Sequence, residues 1–83
     1  MEPLQITYSH EPGYGWYASS SDLKLRLGEI LAAGDATFEA TRARVEEALR
    51  WSLERPDLEF EHYVHQSAIP AFVAEQERAG AKV

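Results

Sequence analysis

With 83 residues the chain has room for one domain and one core, since a chain of this size buries only about 60–65% of the surface its unfolded form exposes. Hydrophobic residues make up 45% and charged residues 27%, a composition too apolar for a disordered tail and too polar for a membrane span. Asp and Glu number 14 against 8 Lys and Arg, leaving a net charge of −6 that attracts a basic surface, repels a phosphate backbone and disfavours direct nucleic-acid binding. Cysteine is absent, which excludes disulfides, thiolate metal ligation and thiol catalysis; a small domain without such staples is expected to form a homo-oligomer. No apolar run approaches the roughly 18 residues of a membrane span, and Met1-Glu2-Pro3 opens no secretory signal, so a cytoplasmic location is expected.

Leu4, Ile6 and Tyr8 alternate with Gln5, Thr7 and Ser9, the period of a half-buried strand, and His10-Glu11-Pro12-Gly13 supplies a turn. Tyr14 to Ser19 resumes extended structure, with Trp16 and Ala18 on one face and Tyr17 on the other; Gly13 and Gly15 permit a tight turn or bulge. After the connection Ser19-Ser20-Ser21-Asp22, Leu23, Leu25 and Leu27 alternate with Lys24 and Arg26 as a third strand that meets Gly28. Glu29 to Ala33 suits the end of a strand or a short helical turn equally, and both readings stay open.

Gly34-Asp35-Ala36-Thr37 reads as a turn into the main helix, with Asp35 or Thr37 as its cap. Phe38, Thr41, Val45, Ala48, Leu49 and Ser52 recur at three- and four-residue steps and predict the stripe facing the sheet. Glu39, Arg42, Glu46 and Arg50 then take the wet side, where Glu46 and Arg50 are spaced to pair. Pro56 stops the helix after roughly 18 residues, or ~27 Å. Leu58, Phe60, His62 and Val64 alternate with Glu59, Glu61 and Tyr63 as a fourth strand. Ile69, Phe72 and Val73 follow at i, i+3 and i+4 around Pro70, and Glu75 to Arg78 extend a tail helix up to Gly80. About ten residues are too few for a helix to stand alone, so the tail must dock on its own domain or on a neighbour. The chain thus divides into an α+β domain over 1–66 and an amphipathic tail over 67–83.

Several residue groups carry the ingredients of chemistry without its geometry. In His62-Tyr63-Val64-His65 the spacing of half a metal site falls on a strand, which points the two imidazoles to opposite faces, so no metal is expected. Ser19, Ser20, Ser21 and Asp22 lack a nucleophile elbow and an oxyanion loop. Glu59 and Glu61 share a strand face about 7 Å apart, but a single-layer sheet offers too little burial to split their pKa values. Gly13-x-Gly15 precedes a strand, whereas a phosphate-binding loop precedes a helix. Tyr14, Trp16 and Tyr17 could form a base-stacking platform, a use that the net charge opposes in favour of a core or interface role. No catalytic residue, metal or cofactor is therefore expected. Trp51 falls off the apolar stripe, on the flank shared with Arg44, Glu47 and Arg55, and an aromatic there suits either an interface or cover for the helix edge.

Gly15-Trp16-Tyr17-Ala18 in the second strand, Asp22-Leu23 after it, Gly34-Asp35 before the helix, Glu46-Glu47-Ala48-Leu49 within it and the acidic strand that follows are short motifs in a shared order. In these the chain resembles the HicB family of antitoxins over roughly residues 4–64. Ser21 and Lys24 stand where the family's turn has prolines, and the stretch from Asp22 to Gly34 is several residues longer than usual. The resemblance implies a truncated ribonuclease H fold: a three-stranded antiparallel meander, one long helix packed on it, and a fourth strand beside the first. Fuller family members carry a carboxy-terminal helix-turn-helix or ribbon-helix-helix domain, and the tail after Val64 is expected to be too short for a helix-turn-helix.

The resemblance also implies a non-catalytic protein that occludes a small basic RNA-cleaving toxin of HicA type. Outward geometry selects Trp51 on the helix, Glu59, Glu61 and Tyr63 on the fourth strand, and Ile69, Phe72 and Val73 in the tail as the contact residues, acids steering encounter and aromatic anchors holding it. The competing expectation is a structural domain that self-assembles through sheet edges or its tail and has no toxin partner.

Overall fold

The computed structural model describes residues 3–22 and 28–81. Alternation along the first strand decides the architecture: every second residue of β1 (Leu4–Glu11), namely Leu4, Ile6 and Tyr8, is buried. Pro12 and Gly13 turn the chain, Gly13 at φ 83 as the third residue of a four-residue turn closed by Tyr14 N–H donating to the Glu11 carbonyl at 3.0 Å. Strand β2 (Gly15–Ser20) returns antiparallel, with Tyr8 opposite Ala18 and Ser9 opposite Tyr17. Gly15 is obligatory there, because a Cβ would sit 2.5 Å from the Asp35 carbonyl oxygen and the backbone φ is +118.

Strand β3 (Ile30–Asp35) pairs antiparallel with β2, α1 (Phe38–Ser52) crosses the sheet, and β4 (Phe60–Val64) runs parallel to β1. A short 3-10 turn at Gln66–Ala68 leads into α2 (Ile69–Ala81). The result is an α+β domain on one mixed sheet in the order β3-β2-β1-β4. Its inner face gathers Leu4, Ile6, Tyr8, Trp16, Ala18 and Ala32 under the helix stripe Phe38, Thr41, Val45 and Leu49. Phe38 is the hub, edge-on to Tyr8 at 4.8 Å, to Trp16 at 5.5 Å and to Phe72 of α2 at 5.0 Å.

The tail helix docks on its own domain. Besides the Phe72 contact, Glu75 is only 9% exposed, and its carboxylate accepts the Phe38 N–H at 2.8 Å and the Glu39 N–H at 3.4 Å. These are orphan amides of the first turn of α1, where a negative charge also meets the positive end of the helix dipole. Thr37 caps the same turn locally, its hydroxyl accepting the Ala40 N–H at 3.1 Å.

The expected third strand over Leu23–Leu27, with Lys24 and Arg26, lies outside the described residues, and the segment left open enters the strand β3. Other local expectations are corrected. Gly34 and Asp35 belong to that strand rather than to a turn, since Asp35 pairs with Trp16. His10 and Glu11 likewise extend β1. Helix α1 has 15 residues, not 18. It ends three residues early because Arg55 N–H donates to the Arg50 carbonyl at 2.9 Å and Glu54 N–H to the Trp51 carbonyl at 3.2 Å, the paired bonds of a Schellman stop. Such a stop needs a left-handed residue, normally glycine, and here Glu54 takes it at φ 54, at a cost of about 1 kcal/mol. Ala48 and Ser52 are exposed, so the buried stripe is narrower than the pattern suggested.

Candidate functional site

Arg42, Glu46 and Arg50, expected in water, are half-buried because β4 rises beside that flank of the helix. The His62 ring meets the Tyr8 hydroxyl through Nδ1 at 2.8 Å and Glu46 Oε2 through Nε2 at 3.1 Å. Arg42 in turn holds Glu46 at 3.3 Å and Glu39 at 2.6 Å. Burial, reinforced by the nearby Glu46 charge, pushes the Tyr8 phenol well above the ordinary tyrosine value. The phenol therefore keeps its proton, and with the phenol donating to Nδ1 of a neutral ring, Nε2 is the nitrogen left to donate to Glu46. This chain ties β1, β4 and α1 together and satisfies its own polar atoms.

Arg50 does not pair with Glu46. Its Nε and Nη2 both donate to the Leu58 carbonyl, at 3.1 and 2.9 Å, and its guanidinium lies over the Phe60 ring at 5.3 Å. Arg44 pairs with Asp35 at 3.1 Å and Arg55 with Asp57 at 3.4 Å. Every arginine of the segment 42–55 is thus already engaged.

Beyond these internal contacts, two open surfaces stand out among the described residues. The first is a groove of about 760 Å³ on the outside of α1, lined by Glu46, Glu47, Arg50, Trp51, Glu54 and Pro56 among others. Trp51 is 83% exposed there. The second is the face of the sheet turned away from α1, open among the described residues. Tyr14, Tyr17, Ile30, Ala33 and Glu11 line a shallow depression of about 350 Å³ at its β2–β3 side, with Tyr14 and Ile30 each 57% exposed. At its β4 edge the Tyr63 hydroxyl donates to the Glu61 carboxylate, which holds the phenolic proton above its usual range.

The seven residues selected from sequence do not form one patch. Glu61 and Tyr63 alternate with His62 and so face away from the helix, while Glu59 is exposed just before the strand, its carbonyl accepting the Leu4 N–H at 3.0 Å. Trp51 lies on the opposite layer. Ile69 and Val73 are exposed, four residues apart on α2, whereas Phe72 between them is turned inward against Phe38. A partner that touches both the Trp51 groove and the Glu61–Tyr63 pair must wrap around the β4 edge.

The depression at Tyr14, Tyr17 and Ile30 could not be read from the sequence because it depends on pairing Ile30 with Ser19 and Ala33 with Tyr17, across a register shift between Ala18 and Ser19. The place of Glu54 could not be read either, because only the closed Schellman turn brings that residue beside Trp51, whereas Glu47 shares the flank of Trp51 by helical spacing alone. Among the described residues no group of three or more histidine, aspartate or glutamate side chains is placed to hold a metal ion, and no helix is long and apolar enough to cross a membrane. Comparisons of the chain with family models, with curated proteins and with solved structures find no match.

Proposed function

We propose that this chain is a non-catalytic inhibitor of the antitoxin kind, which binds a small basic RNA-cleaving protein of HicA type and covers its active site. The observation that carries the reading is the outward placement of large apolar groups and carboxylates on a domain of net charge −6, with Trp51, Glu59, Glu61, Tyr63, Ile69 and Val73 all solvent-facing. Long-range attraction brings a basic partner in, and the aromatic and aliphatic anchors retain it. The sequence motifs shared with HicB antitoxins support the same reading.

The test is co-expression with the small basic chain that the adjacent reading frame is expected to encode. The pair should elute together at low salt, and the partner's RNA cleavage should be suppressed. In stopped-flow mixing, Glu59→Lys with Glu61→Lys should slow association about tenfold at low salt while leaving the fold intact. Separate elution, with cleavage unaffected, would remove the inhibitor reading.

A second reading rests on the sheet face turned away from α1. Among the described residues the Tyr14–Tyr17–Ile30 depression has one acidic neighbour, Glu11, and borders β3 at the edge of the sheet, a surface suited to a second copy of the chain rather than to a basic partner. In that reading the domain is a self-assembling structural module. Ile30→Lys would then turn the sedimenting species into a monomer, an effect an inhibitor built on the charged surfaces does not require.

A further inference from the structure

Trp51 is the most exposed of the large hydrophobic side chains described. Glu47 precedes it by one helical turn on the same face, and Glu54 follows it in the stop that closes the helix; all three line one groove. The other charges facing the groove are spoken for. Glu46 is held by Arg42 and His62, and Arg50 gives both its forward donors to the Leu58 carbonyl while covering the Phe60 ring. Arg44 and Arg55, on the same flank, are paired with Asp35 and Asp57. An exposed indole is thus left between two carboxylates that have no cation of their own among the described residues.

We infer that the Trp51 groove is a receptor for one arginine side chain of a basic protein partner, with the guanidinium lying on the indole face and its donors reaching Glu47 and Glu54. The chemistry selects arginine over lysine. A planar, weakly hydrated guanidinium stacks on an indole and keeps its edge donors free for carboxylates, whereas an ammonium is a compact and strongly hydrated point charge. The same domain supplies a smaller precedent, the Arg50 guanidinium over Phe60. The inference deepens the inhibitor reading above by naming the partner group that its helix layer would take, and it rests on that reading only for the identity of the protein that carries the arginine.

The experiment uses hexa-arginine and hexa-lysine peptides and the full chain labelled with 5-fluorotryptophan. The two tryptophans give two fluorine resonances, one from buried Trp16 and one from Trp51. Hexa-arginine should shift the Trp51 resonance saturably and leave that of Trp16 in place, with hexa-lysine binding several-fold more weakly. Trp51→Ala should weaken hexa-arginine binding about fivefold, the size of an exposed cation–π contact, and Glu47→Gln with Glu54→Gln should weaken it at least as much. Glu59→Gln with Glu61→Gln should leave the Trp51 shift intact. Equal binding of the two peptides, an unmoved Trp51 resonance, or loss of the shift only in the Glu59–Glu61 variant would each overturn the assignment. If Trp51→Ala still captures and inhibits the basic partner while hexa-arginine ignores the groove, the arginine site falls and the inhibitor reading stands. If hexa-arginine seats at Trp51 and the adjacent basic chain is not captured, the site stands and that partner falls.

Discussion

The two tryptophans of this domain have the same chemistry and opposite placements. Trp16, 2% exposed, sits under Phe38 between β1 and β3, where its area is removed from water and its ring is fixed by neighbours. Trp51, 83% exposed, stands on the outside of α1 between Glu47 and Glu54. The first surrounding is closed, apolar and made by long-range pairing; the second is open, acidic and made within one stretch of chain. The difference separates what holds the fold from what is left over for a partner, and it can be broken or sharpened by substitution on either side.

The largest effect belongs to the closed side. Trp16→Ala should destabilise the domain by about 3–5 kcal/mol, a large share of the roughly 5–15 kcal/mol that keeps a domain folded, and urea unfolding followed by circular dichroism will show it. Next comes the junction of the two helices. Glu75→Ala removes a buried carboxylate from the Phe38 and Glu39 amides and should cost ~2 kcal/mol. Hydrogen exchange should quicken at those two amides and along α2 before it does in the sheet.

The buried phenol of Tyr8 adds a pH dependence with a definite sign. The folded-state pKa is raised, so the stabilising difference is complete below the unfolded value of about 10. Stability falls as the pH rises past that value, because the unfolded chain loses a proton that the folded chain retains. Urea midpoints at about pH 9 and about pH 11 should differ in the native chain, and less so in Tyr8→Phe.

The open side answers with smaller and opposite changes. Glu54→Gly relieves a left-handed residue at the Schellman stop and should raise stability by about 1 kcal/mol, measured by the same urea titration. It should also weaken binding of a cationic partner at Trp51. A gain in stability coupled to a loss of binding would mark Glu54 as a residue kept for contact rather than for folding.

How far these surroundings were legible follows from the range of the interactions that make them. The alternation of Leu4, Ile6 and Tyr8, the inward Trp16 and Ala18, and the stripe Phe38, Thr41, Val45 and Leu49 are local periodicities, and the structure keeps each of them. Trp51 was visible as an outlier from the same periodicity. Strand β3 was not, because Ala32-Ala33-Gly34 has no alternation of its own and becomes a strand only by pairing with Trp16 to Ser19. The half-buried Arg42, Glu46 and Arg50 depend on His62 and Leu58 arriving from β4 and its approach. Glu75 caps a helix that begins 37 residues earlier, which no local motif announces. Of the acidic frame of Trp51, Glu47 follows from helical spacing, but Glu54 needs a left-handed turn at a residue that is not glycine, and composition gives no sign of that.

A docking role is tested most directly by determining two quantities side by side for Trp51→Ala: the free energy of unfolding and the affinity for the basic partner. Stability should stay within about 0.5 kcal/mol of the native chain while affinity falls about tenfold or more. An unchanged affinity, or a loss of stability approaching that of Trp16→Ala, would contradict it.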